Sequence, residues 1–418
     1  MWRVKPDENP DWGYARNKQI LLKTPIAEYS ASIFTAPLKI SNMVFYGGNM
    51  DYSWQGLLVG PLRGTLYKVL DSVYFCLPDL ILQPKDVIFD LNKCIYNYKC
   101  VKGGEISVEL ALRNVADAVL LDAATNQPCW FTILLDPMSG GRWTSNNYNI
   151  RLADTQLVVT PTAIPLQIIV EGFNQSEPLN LELEWRYKLG DGFRKYEDGL
   201  IRFVEHFRKI YVPFMLYSSK GSLRIKVPIS EGILTNYPKP NVEERLRLGK
   251  SMVADAVYLR FKTLSTYSIF ANGVWFPEAG AWWFRKPWIR DALEGIRWNL
   301  KTYLEVFGWG RSIISTLDYL LDTLKSSGGL PIIMGITNQF TSDAPPQLLY
   351  IASKISEMLG NRTLFLKLLN VARSIAERLA KGHPVSTTML QESVLCSPAN
   401  SSWTDSIITT NNTSWPTR

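Results

Sequence analysis

Two histidines, His206 and His383, are all that a chain of 418 residues contains. That scarcity leaves almost no room for a Ser-His-Asp triad or a histidine-rich metal site. The five cysteines, Cys76, Cys94, Cys100, Cys129 and Cys396, are odd in number, scattered and without a CxxC pair. Such a set argues against both a disulfide framework and structural zinc. Formal net charge is +7, yet no run of four basic residues occurs and 38 acidic residues are interleaved with the lysines and arginines. Neither nucleic acid nor a membrane surface is therefore an expected partner. No uninterrupted apolar stretch reaches the ~18 residues of a membrane span, and the opening MWRVKPDENPDWGYARNKQ lacks the basic-then-apolar layout of a signal peptide. The expected compartment is the cytoplasm. Any chemistry must fall to carboxylates, with no metal or cofactor.

What is present divides in two. Up to about residue 228 the chain alternates with the period of half-buried strands: Ile106, Val108, Leu110, Leu112, then Leu179, Leu181, Leu183, Trp185, Tyr187, Leu189, then Leu223, Ile225, Val227. Turn signals such as Lys102-Gly103-Gly104 separate these runs, and no helical pattern intervenes. The spacing predicts an antiparallel β-sandwich over 1–228. Three prolines and a glycine in VPISEGILTNYPKPN mark a linker over 229–241. Beyond it the period becomes 3.6, with helices expected over about 242–263, 288–307, 310–326, 345–359 and 362–381. The second buries Ile289, Ala292, Leu293 and Ile296; the fourth opens on Ser342 or Asp343 as N-cap, with prolines in its first turn. Short connections make this region, 242–418, a stack of helical hairpins.

One stretch stands out, AGAWWFRKPWIRDALEGIRWNL at 279–300. A helix beginning near Trp288 puts Arg290 and Asp291 in its first turn, where the helix dipole favours the carboxylate and the guanidinium offers a rigid fork of donors. Trp282, Trp283 and Trp288 could form an apolar face for a pyranose ring. The plainer alternative is a first-turn ion pair beside core aromatics.

The same stretch resembles the glycogen-debranching amylo-α-1,6-glucosidase family, whose catalytic domain carries Ala-Gly-x-x-Trp-Phe closely followed by aromatic-Gly-Arg-Asp. Ala279, Gly280, Trp283, Phe284, Trp288, Arg290 and Asp291 match, with Ile289 in the place of the family glycine. TSDAPPQLLYIA (341–352) is similar to the family's Ser-Ala-Asp-Ala segment through Ser342, Asp343 and Ala344. SSWTDS (401–406) resembles its Leu-Thr-Trp-Met-Asp segment, and WQGLLV (54–59) a stretch of its N-terminal sandwich. The resemblance implies an N-terminal antiparallel β-sandwich followed by an (α/α)6 toroid of helical hairpins. It implies Arg290, Asp291, Trp283, Phe284, Trp288, Asp343 and Trp403 as substrate-binding residues. Asp405 becomes the general acid, with Trp403 beside it raising its pKa by desolvation.

The implied reaction is inverting hydrolysis of α-1,6-linked glucose in an α-glucan, glycogen or a limit dextrin. It needs a second carboxylate roughly 6.5–9.5 Å from the acid to activate water. In the family a Pro-Thr-Arg like the one ending this sequence is followed by further helices that bring that base. The expectation is a toroid incomplete within these residues, completed by a second polypeptide or by self-association; Glu278, Glu294 and Glu392 are the base candidates at hand. Two alternatives stand beside it. One is a catalytically dead carbohydrate-binding or interaction protein. The other is a glucoamylase- or trehalase-like glycosidase on the same fold.

Overall fold

The computed structural model describes residues 2–4, 19–33, 35–48, 55–78, 80–195, 201–229, 252–271, 273–391, 394–397, 407–410 and 413–416. The chain divides into two compact units, Met1–Asn236 with Lys250–Thr266, and Tyr237–Gly249 with Tyr267–Arg418.

In the first unit every strand pairing is antiparallel, across one nine-stranded and two six-stranded sheets. The alternation read from the sequence is visible in the strand Glu105–Val115, where Ile106, Val108, Leu110 and Leu112 are buried and the residues between them are not. Each such side chain contributes about 1.5–3 kcal/mol of burial. Hydroxyls tie separate sheets together: Tyr96 Oη donates to the Ser32 carbonyl and Tyr98 Oη to Thr35 Oγ1, both at 2.7 Å. Burial pushes both phenols up, away from any accessible titration. Part of the WQGLLV stretch is core here, since Leu57, Leu58 and Val59 are fully buried in the strand Gly56–Leu62.

A buried ionic cluster lies in the same unit. Lys68, Asp71 and Asp136 have wholly buried side chains. Lys68 Nζ is 2.5 Å from Asp71 Oδ1 and 3.9 Å from Asp136 Oδ2. Arg208 donates to Asp136 Oδ1 at 2.8 Å, and Trp143 Nε1 to Asp136 Oδ2 at 3.0 Å. Gln55 and Ser72 both donate to Asp71 Oδ2. Helix α1 (Met252–Thr266) belongs to this unit and holds Asp90 through Lys262 at 3.2 Å.

The second unit is mainly helical. Its helices are α2 (Ile289–Lys301), α3 (Gly310–Ser327), α4 (Ala344–Met358) and α5 (Arg362–Ala380), within a residue or so of the expected spans except at the end of α2. There the chain widens into a π-turn over Thr302–Val306, with Phe307 N donating to the Thr302 carbonyl at 3.0 Å. α2 packs on α4, α3 on α4 and α5, and α4 on α5. Each buries the apolar stripe anticipated from its period, such as Ile289, Ala292, Leu293 and Ile296 on α2. Beneath them Trp275 sits edge-on to Tyr303 and Trp309, with ring centroids 5.4 and 5.3 Å away. Among the described residues this unit has four α-helices, and no helix is long and apolar enough to cross a membrane.

Candidate functional site

Helix α2 begins as its sequence suggests. Trp288 takes the N-cap position with an extended backbone and no side-chain cap, so Arg290 and Asp291 fall in the first turn. Its start is held by a neighbouring segment rather than by a cap. Ile289 N donates to the Ile332 carbonyl and Met334 N to the Pro287 carbonyl, each at 3.0 Å, and Trp288 bridges to Ile333. Ile289, in the place of the family glycine, is fully buried and anchors the turn. The neighbouring segment folds back on itself through Ile332 N to the Gln339 carbonyl (2.8 Å) and Thr341 N to the Leu330 carbonyl (3.0 Å). That return sets the start of α4 within reach of α2.

Arg290 Nη1 lies 4.0 Å from Asp343 Oδ2, with both side chains mostly buried. Asp343 occupies the N-cap position of α4 but makes no capping hydrogen bond. The physical reason is in the next residues. A cap accepts from the second or third helical N–H, and these positions are Pro345 and Pro346, which have none. The carboxylate turns instead to Thr341, whose hydroxyl donates to Oδ1.

Buried polar atoms without a hydrogen bond among the described residues cluster on these elements, among them Asp343 Oδ2, Gln347 Oε1 and Trp288 Nε1. Gln347 stands one turn beyond Asp343 on the same face of α4. Each unmet atom costs on the order of 1–3 kcal/mol unless something pairs with it. Beside them Trp282–Phe284 form a 3-10 turn entered through Trp282 at φ 53°, a left-handed conformation that is costly for a bulky residue. Phe284 is 50% exposed, its ring 6.5 Å from that of Trp288. Trp283 lies in the same turn.

The structure thus brings Trp288, Arg290, Asp291, Asp343 and Phe284 onto neighbouring elements. Trp403, Asp405 and Glu392 fall outside the described residues. Glu278 and Glu294 are both engaged elsewhere. The first is buried against Arg285 at 3.1 Å, and the second holds Arg297 at 3.0 Å. Thr341 and Gln347 are contributors that sequence reading missed, although the Pro-Pro pair after Asp343 and the four-residue step to Gln347 were both signals for them. Among the described residues no group of histidine, cysteine, aspartate and glutamate could hold a metal ion.

No known family model matches the chain, and no curated protein matches it. Among solved structures, the glycosyl hydrolase ccman5 of family GH92 superposes with a TM-score of 0.28 and 12% identity over 92% of this chain. The family GH92 inverting mannosidase BT2199 from Bacteroides thetaiotaomicron VPI-5482 gives 0.28 and 8% over 80% of it. This chain spans 66% and 51% of their respective lengths. Superpositions this loose carry no weight for fold or chemistry.

Proposed function

We propose that the start of α2 and the start of α4 form a carbohydrate site, and that the protein is a glycoside hydrolase of the glycogen-debranching type. The observation that carries the site is the set of unmet buried polar atoms, Asp343 Oδ2, Gln347 Oε1 and Trp288 Nε1, around the Arg290–Asp343 pair. Sugar hydroxyls donate and accept at once, so one pyranose can answer acceptors and a donor together. The exposed ring of Phe284 offers an apolar surface for its C–H face.

The finer reading rests on the motif resemblance. In it the substrate is an α-glucan, hydrolysed at α-1,6-linked glucose with inversion, and Asp405 is the general acid beside Trp403. Asp291 and Trp283 complete the substrate contacts. The division into a sandwich (1–228), a linker (229–241) and a partial (α/α)6 toroid (242–418), working in the cytoplasm, belongs to the same reading. The exposed apolar residues Phe365, Leu366 and Leu369 on α5 support a second polypeptide or a second copy as the partner that completes the ring.

A second reading is favoured by one observation. Glu278 and Glu294 are both committed to arginines, which supports a binding protein without a complete acid-base pair.

Calorimetry with glucose, maltose and isomaltose tests the site. Arg290→Ala should weaken binding by about 1.5–3 kcal/mol, the scale of a charge-assisted hydrogen bond, with little change in circular dichroism. Sugar affinity identical in wild type and variant would remove the site. Glucose release from limit dextrin separates the two readings: turnover abolished by Asp405→Asn with binding intact supports the hydrolase, and binding without turnover supports the binding protein.

A further inference from the structure

An open cavity of about 280 Å³ lies in the second unit, where the C-terminal turns of α3 and α5 meet the chain at His383 and Val385. Lys325, Arg378 and Lys381 line it with His383 and Ser374, and Glu377 is its one acidic residue. Elsewhere in this unit exposed cations find carboxylates: Lys367 pairs with Asp318 at 2.6 Å and Asp322 at 2.7 Å, and Lys354 with Glu357 at 3.5 Å. Among the described residues none of the three cavity cations is ion-paired, not even to Glu377.

The helix ends explain part of this charge. Lys325 and Arg378 stand in the last turns of α3 and α5, where exposed carbonyls carry roughly half a negative charge per helix. Lys381 and His383 follow the last helical residue and add to what the dipoles require.

Arg378 is also fixed in place. Its Nε donates to the Pro384 carbonyl at 2.7 Å, which leaves the terminal nitrogens of the fork for another acceptor. The guanidinium lies against Gly328, which closes α3 in the left-handed conformation at φ 73°. A Cβ there would come within 2.6 Å of Arg378 Cζ, so glycine is the residue that both the backbone and the arginine require.

We infer that this cavity binds a phosphoryl group, held by the Arg378 fork, the Lys325 and Lys381 ammonium groups and the Ser374 hydroxyl. A tetrahedral dianion suits this donor set better than a carboxylate does, because it presents more acceptor oxygens and answers more of the charge. The volume exceeds what a bare phosphate fills, so a phosphate ester of sugar size fits as well as the inorganic ion.

The test is calorimetry and thermal melting of the full chain at constant ionic strength, with inorganic phosphate, glucose 6-phosphate, acetate and chloride. Saturable binding and a rise in Tm are expected with phosphate and with the ester, and neither with acetate or chloride. Tighter binding of the ester identifies an organic phosphate as the ligand, and equal binding identifies the phosphoryl group alone. Lys381→Glu, at an exposed position, should weaken phosphate at least about tenfold, the loss of one charge-assisted contact. Arg378→Lys keeps the charge and removes the fork, and should weaken it by a smaller factor. A response to chloride equal to that to phosphate, or Lys381→Glu binding phosphate as wild type does, overturns the assignment.

Discussion

Asp136 in the strand unit has both carboxylate oxygens answered, by Arg208 at 2.8 Å and Trp143 at 3.0 Å, with Lys68 beside them. Asp343 in the helical unit has one oxygen held by Thr341 and the other without a hydrogen bond, 4.0 Å from Arg290. The two clusters contain the same chemical types and are built to different ends. Around Asp71 and Asp136 two cations face two carboxylates, every oxygen has a partner, and Lys68, Asp71 and Asp136 are sealed from water. Such a cluster specifies a packing arrangement, and Arg208 Nε is its one buried polar atom without a hydrogen bond among the described residues. Around Asp343 the pairing is incomplete among the described residues, and the proposed ligand would supply the missing partners. The difference lies in the carboxylates: both of Asp136's oxygens are answered and one of Asp343's is not.

Removing a charge from the closed cluster should have the largest effect. Lys68→Met removes the ammonium that Asp71 and Asp136 share, and should cost about 3–5 kcal/mol in urea unfolding, as breaking a buried pair does. It should also change the pH dependence. Burial raises the Asp136 pKa above its usual 3.8, opposed first by Lys68. The folded chain therefore holds that proton more tightly than the unfolded one. The stabilisation from this group is full below 3.8 and is lost as pH rises through the raised value. Without Lys68 that value moves further up, so the variant's stability should fall more steeply than the wild type's above about pH 4. A variant within 1 kcal/mol of wild type would mean that the cluster is not the closed structural device described.

At the open cluster, stability effects should be small. Asp343→Ala should cost well under the ~0.5–2 kcal/mol of an ordinary N-cap loss, because Pro345 and Pro346 leave nothing to cap. Gln347→Leu should be neutral or slightly stabilising, since it removes an acceptor that nothing answers, while lowering sugar affinity. A full cap-sized loss at Asp343 would show that its carboxylate serves the helix after all.

The smallest effect is a count of thiols. Cys76, Cys94, Cys100 and Cys129 are buried in the strand unit, where burial pushes the Cys94 thiol up to about 12 and that of Cys129 higher still. Cys396, in the helical unit, is partly exposed. A thiol reagent near pH 8 should titrate one cysteine quickly in the native chain and all five after unfolding. Two or more fast thiols would mean that the strand unit opens more readily than its packing implies.

The helices and the alternating strands were legible in the sequence because each is written in a local period. The start of α2 could be placed to within a residue from the apolar stripe that begins at Ile289. The site was legible only in part. Arg290 and Asp343 meet because the chain between Leu330 and Thr341 folds back along the start of α2, a tertiary fact that no local pattern encodes. WQGLLV, quoted as a family marker, contributes fully buried residues to a sheet, so its likeness reflects core packing as readily as descent. Asp343 itself was undecided between cap and ligand contact, and the two prolines after it exclude the ordinary cap.

The π-turn at Thr302–Val306 closes α2 with one residue more than an α-helical turn takes. An α-helix turns about 100° per residue, and one residue too many in this turn shifts everything after it by that angle. Residues up to Lys301 keep the phase that buries Ile289, Leu293 and Ile296. Phe307 caps the π-turn and Trp309 caps the start of α3, their rings 4.8 Å apart and tilted by 49°, with Trp309 edge-on to Trp275. Deleting a single residue between Thr302 and Val306 would narrow that turn to an α-helical one and carry Phe307 and Trp309 away from Trp275. In this protein, the length of one helical turn in residues sets whether Trp309 reaches the aromatic core around Trp275.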